Sequence, residues 1–160
     1  MTTRGMHVRR MLAAVTAAGL LAMTVSCATD SPPEQSARER KAASVPVFKL
    51  HMSKDLWTRT NNAPGHNDLD KPQSLTEDPN GMATIELTGP QMVDYLKTLD
   101  YNAHGGIGAF DEPLAVTVYD TVAPVIDQIQ APPAPGASVP EITVHAAVAP
   151  TTSPAPSGGR

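Results

Sequence analysis

Large apolar side chains occupy only part of this chain, and that limits what it can fold into. Residues 28–44 read ATDSPPEQSARERKAAS and carry no aromatic or large aliphatic side chain. Residues 131–160 hold seven of the chain's 16 prolines among alanine, serine and threonine. Neither stretch has the apolar surface to offset the entropy of ordering it, so both are expected to be disordered. In the second, only Glu141-Ile142-Thr143-Val144 has a strand-like composition. A core must then come from 45–130, about the smallest size at which one core suffices without disulfides or metals.

The N-terminal 27 residues have a different character. Arg4, Arg9 and Arg10 precede an apolar run over 11–25 that is broken only by small residues. The run is short for a bilayer span, which needs about 20 apolar residues. A basic start, a short apolar core and small residues after it form the pattern of a cleaved export signal over 1–26. Arg9-Arg10 read as generic charge of its basic region.

The chain's one cysteine, Cys27, stands at the end of that run. A lone cysteine in an exported chain has no internal partner for a disulfide. Thr24-Val25-Ser26-Cys27 resembles the bacterial lipobox, with Val25 and Ser26 in place and Thr24 where an aliphatic residue is usual. The resemblance implies a diacylglyceryl group on the Cys27 thiol and cleavage that makes Cys27 the first residue. Two or three acyl chains would give the durable attachment that one chain, at about 0.8 kcal/mol per buried methylene, does not. Ser26-Cys27-Ala28 also satisfies the rule for ordinary signal cleavage, which would release a cysteine-free protein beginning at Thr29. On the lipid reading, 27–44 is a flexible tether. Its Arg38, Arg40 and Lys41 either touch anionic headgroups or are simply solvated.

Within 45–130, Val47, Phe48, Leu50, Met52, Leu56 and Trp57 are candidates for one core wall. Pro46 opposes a helix at its start, so a short strand to Met52 and a helical turn opened by Ser53 are expected. Residues 58–81 read as one long loop closed by Asp78-Pro79-Asn80-Gly81. Met82 to Leu87 alternates as a short strand. Thr88-Gly89-Pro90-Gln91 is a capping box with proline in the first turn, and Leu87 with Met92 is placed as a hydrophobic staple. Met92, Val93, Leu96 and Leu99 follow as a helical stripe, and glycines in 102–108 end it. Leu114, Val118, Val122, Val125 and Ile129 predict a second helix from Pro113, capped by Asp111 or Glu112 and kinked or broken at Pro124. The alternative is a strand over 114–119 and then a helix. The fold expected is mainly α, with two or three helices and at most a short β element.

The segments TGPQMVDYLKTLDYNAHGG (88–106) and PLAVTVYDTVAPVID (113–127) resemble a module of small actinobacterial lipoproteins and secreted proteins of unknown function. The resemblance implies a bacterial envelope location and carries no catalytic residue onto this chain.

No chemistry stands out. His66, Asp68 and Asp70 cluster in the long loop, without the ligand pattern of a calcium loop or the spacing of a zinc site. Calorimetry with metal ions would test a metal-binding accessory role for them. His104 near a helix end suits the helix dipole. A His104–Asp111 pair lacks any accompanying nucleophile motif. Tyr95, Tyr101, Tyr119 and Trp57 suggest a binding patch or, since the chain has six aromatic residues in all, core. Removing 1–26 takes three arginines and leaves 9 basic against 16 acidic side chains, a formal charge of −7. That balance argues against nucleic acid and against close electrostatic attraction to an anionic bilayer. The expectation is a non-enzymatic protein without cofactor or metal. It would be held at the outer face of the bacterial membrane through Cys27 and bind a protein or envelope component. The alternative is a secreted protein of the wall or medium.

Overall fold

The computed structural model describes residues 29–61, 71–134 and 136–145. The order is α1 (Gln35–Ala43), β1 (Val47–Ser53), α2 (Lys54–Asn61), β2 (Ser74–Glu77), β3 (Met82–Thr88), α3 (Gly89–Ala103), α4 (Glu112–Asp127) and β4 (Glu141–Thr143). The strands form one mixed sheet in the order β2-β3-β1-β4. β1 is antiparallel to β3 and parallel to β4, and β2 is antiparallel to β3. The mainly α expectation is therefore corrected to an α/β fold. Strand-like character at β1 and β3 is visible in the sequence. What joins the strands is pairing across long sequence separations, such as Leu50 with Ile142, which no local pattern reveals.

Alternation along the strands builds the core. Phe48, Leu50 and Met52 of β1 and Ala83, Ile85 and Leu87 of β3 are buried, and their neighbours face away at intermediate exposure. This is the period of two that places alternate side chains on one face of a sheet. Over them lie Met92, Tyr95, Leu96 and Leu99 of α3 and Leu114, Val118, Val122 and Ile126 of α4. The capping box forms as expected: Gln91 N–H donates to the Thr88 hydroxyl and Thr88 N–H donates to the Gln91 side chain. Leu87 and Met92 are both buried. The Ser53 hydroxyl caps α2 by accepting from Leu56 N–H. α4 runs through Pro124 as one helix, so the strand alternative over 114–119 does not apply.

The structure also corrects the flanks. Residues 35–43 are helix α1, packed on α3 and α4, although only Gln35 and Ala42 of that helix are buried. Alanine, arginine, glutamate and lysine favour the helix, and Arg40 and Lys41 in its last turn suit the dipole. The Arg38 guanidinium reaches both Asp127 oxygens, at 3.0 and 2.7 Å, and donates to the Tyr119 hydroxyl at 3.0 Å. That hydroxyl donates to Gln35 Oε1 at 2.6 Å, and Lys41 Nζ donates to the Asp127 carbonyl at 2.5 Å. In the expected tail, β4 joins the sheet edge, and Val144 is buried with its N–H on the His51 carbonyl. In the expected loop over 58–81, α2 continues to Asn61 and β2 pairs with β3.

Gly89 lets the end of α1 approach. A Cβ there would lie 2.5 Å from the Val45 carbonyl oxygen and 2.7 Å from that of Ala42. Gly89→Ala should lower stability by about 1–3 kcal/mol, as overpacking does, read by denaturant unfolding.

Asp127 gives a pH test. The hydrogen bond from Arg38 holds its carboxyl below the ordinary value of 3.8. A lowered folded-state pKa adds stability that is present above 3.8 and lost as pH falls through the folded value. The Asp127 side chain is 40% exposed, so water screens the pair and its worth at neutral pH is below ~1 kcal/mol. Asp127→Asn should lower Tm slightly at neutral pH, by the small worth of the pair, and leave it nearly unchanged below the folded value, so that the acid limb of a Tm-against-pH profile is flatter.

Candidate functional site

Polar and apolar groups of unusual placement gather where α3 ends and α4 begins. α3 closes at His104, and the chain then runs through Gly105 and Gly108, both at positive φ, to Asp111. Ala109 N–H bonds the Gly106 carbonyl, Gly106 N–H bonds that of Tyr101, and the Tyr101 hydroxyl donates to that of Ile107. Asn102 is buried and braces the other side, taking Phe110 N–H on its oxygen at 2.7 Å and donating to the Thr98 carbonyl at 2.7 Å. The loop is thus held from within, and it presents Ile107 at 85% exposure and Phe110 at 53%.

Both acids that flank the loop are paired. Asp111 stands at φ +50°, a left-handed position that aspartate tolerates better than most residues. Its carboxylate does not cap α4, as expected from sequence, but binds Arg59 of α2. Asp100 accepts from Ser31 Oγ at 2.5 Å and lies 2.7 Å from His104 Nδ1. Nδ1 also faces the Asp100 carbonyl at 3.2 Å, so with two acceptors before it that nitrogen carries a proton. The His104 ring meets Tyr119 edge-on, with centroids 4.9 Å apart. The His104–Asp111 pair considered from sequence does not form, because each residue has another partner.

The leading segment docks here as well. Asp30 N–H donates to the His104 carbonyl at 2.8 Å, and the Thr29 and Ser31 hydroxyls lie 2.7 Å apart. Serine, aspartate and histidine therefore meet in the wrong order for nucleophilic catalysis. The carboxylate stands between the hydroxyl and the imidazole, so Ser31 donates its proton to Asp100 and not to His104, unlike the serine–histidine–aspartate relay.

Of the aromatic residues weighed as a patch, Trp57, Tyr95 and Tyr119 are core. Trp57 and Tyr95 pack at 5.2 Å between centroids, and the Tyr95 hydroxyl bonds Thr60 at 2.8 Å. Burial pushes the ionisation of both tyrosines up, against the hydrogen bonds from Thr60 and Arg38. Tyr101 remains partly exposed, as the brace of the loop. Arg38 and Lys41, weighed as headgroup contacts, are engaged with Asp127.

On the far side of the sheet, the face turned away from the helices is polar. Lys49 pairs with Glu86 at 3.7 Å, and Ser74 donates to Glu86 at 2.9 Å. His51 lies 3.1 Å from the Thr84 hydroxyl and 3.7 Å from Glu141. No cluster of three or more His, Cys, Asp or Glu suited to a metal ion occurs among the described residues. Cys27, His66, Asp68 and Asp70 lie outside them.

Comparison of the chain with protein-family models, curated proteins and solved structures finds no match.

Asn102 is the test of the loop brace. Asn102→Ala leaves the Phe110 N–H and the Thr98 carbonyl without their side-chain partner and should cost about 1–3 kcal/mol in thermal or denaturant unfolding. Amide exchange at Phe110 should rise more than exchange in β1.

Proposed function

We propose that the chain is a bacterial lipoprotein, anchored at the outer face of the cell membrane through Cys27. It presents a small acidic α/β module that binds a protein or envelope component and catalyses no reaction. The observation that carries this reading is the leader over 1–26, basic and then apolar, ending at the chain's single cysteine. The docking of Thr29, Asp30 and Ser31 on the end of α3 supports it, because these residues, two to four past the cysteine, belong to the folded unit and so fall on the mature side of the expected cleavage.

Fractionation and intact mass of wild type and Cys27→Ala test the anchor. The wild type is expected in the membrane with a diacylglyceryl mass on residue 27, and the variant outside it. A wild-type protein in the medium that starts at Thr29 would replace this reading with the secreted one. Turnover of an envelope substrate by the purified protein would remove the non-enzymatic part.

A further inference from the structure

We infer that the loop over 105–110 is a membrane-seating element, whose Ile107 and Phe110 enter the bilayer surface beside the lipid anchor. The inference rests on the anchor reading proposed above and adds to it the orientation of the module.

Chain geometry carries the argument. Asp30 lies three residues after Cys27, so at most about 11 Å of extended chain separates their Cα atoms. Asp30 N–H is bonded to the His104 carbonyl, and Ser31 to Asp100, so both residues are fixed at the C-terminal end of α3. The loop begins at the next residue, and Phe110 is tied back to Asn102 on the same helix. A lipid on Cys27 would therefore bring this end of the molecule to the bilayer and leave no room for a long tether.

The chemistry of the loop suits that position. GGIGAF, 105–110, has no charged side chain, and its two apolar groups are the most exposed large hydrophobic residues described. The flanking acids Asp100 and Asp111 are paired with His104 and Arg59. Exposed acids near the loop are Asp30 and Glu112; of the basic side chains of α1, Arg38 and Lys41 are turned to Asp127, and the exposed Arg40 lies beside Ile129 and Gln130, beyond the far end of α4. Contact is consequently apolar, and anionic lipid should not strengthen it. The internal hydrogen bonds of the loop hold Ile107 and Phe110 out before any membrane is met, which lowers the ordering cost of seating them.

The test uses the full-length lipoprotein, processed in its host and reconstituted in phosphatidylcholine vesicles with and without phosphatidylglycerol. Lipidation blocks the Cys27 thiol, so a cysteine introduced by Ile107→Cys is the one thiol that takes an environment-sensitive fluorophore. Gln130→Cys is the control, because Gln130 is exposed beyond the far end of α4, whose 16 residues span about 24 Å. The label at 107 is expected to emit at shorter wavelength in vesicles than in detergent-free buffer, and to be quenched by lipid-borne spin labels. The label at 130 should show neither effect, and phosphatidylglycerol should not enhance the signal at 107. Protein that carries the lipid mass but leaves the label at 107 open to aqueous iodide overturns the seating while the anchor stands. Shielding from iodide without quenching by lipid labels points to a second copy of the protein covering the loop and also overturns it. Protein recovered without lipid on Cys27 overturns the anchor reading and, with it, this inference.

Discussion

The contact of Arg38 with Asp127 and Tyr119 decides where α1 lies, and the arrangement of the described residues before it follows from that. α1 has almost no apolar face, with Gln35 and Ala42 its only buried residues. Burial of hydrocarbon does not hold it. A two-pronged guanidinium–carboxylate contact, a buried tyrosine hydroxyl shared between Arg38 and Gln35, and a lysine on a helix-end carbonyl hold it instead. Each is worth little alone where water reaches it. They act together because Tyr119 is itself core, so the polar groups meet on a rigid support. At the other end of α1 the absent side chain of Gly89 admits the backbone of residues 42–45. The result is a helix fixed at both ends, with the preceding residues led to the end of α3.

This explains which parts of the fold were legible. Local devices were readable because each is written within a few residues. The Thr88–Gln91 capping box, the stripe of α3, the Ser53 cap and the alternation of β3 all belong to this class. The period of α4 also read through Pro124, because buried residues on both sides of the proline keep one face. The sheet was not legible as a sheet. β1 reaches β4 across some ninety residues, and β2 has a single pattern-bearing apolar residue, Leu75, which is exposed. α1 was illegible for the opposite reason: its composition is that of a solvated linker, and its partners, Tyr119 and Asp127, lie more than eighty residues away.

The candidate site was legible only in pieces. His104 and Asp111 stood out as titratable groups near a helix junction, but the sequence paired them with each other. Asp100 lies one helical turn from His104 and so wins it, as side chains four apart on a helix face one another. Arg59 takes Asp111 from the last turn of α2, in a stretch whose composition is that of a loop. Ser31 had no signal at all, since its role depends on the placement of α1.

The chain's use of its aromatic side chains bears most directly on what the molecule does. It has two phenylalanines, and a core this small benefits from each large apolar group it can bury. Phe48 is wholly buried, yet Phe110 stands half in water beside Ile107, on a loop whose backbone is tied at Tyr101 and Asn102. A loose loop could fold such residues inward; this one is held so that it does not. Polar groups that elsewhere form active sites here pair the acids on either side of the loop and hold Ser31 at the end of α3. An uncharged, apolar tip is thereby kept exposed at the end of the module where residues 29–31 dock.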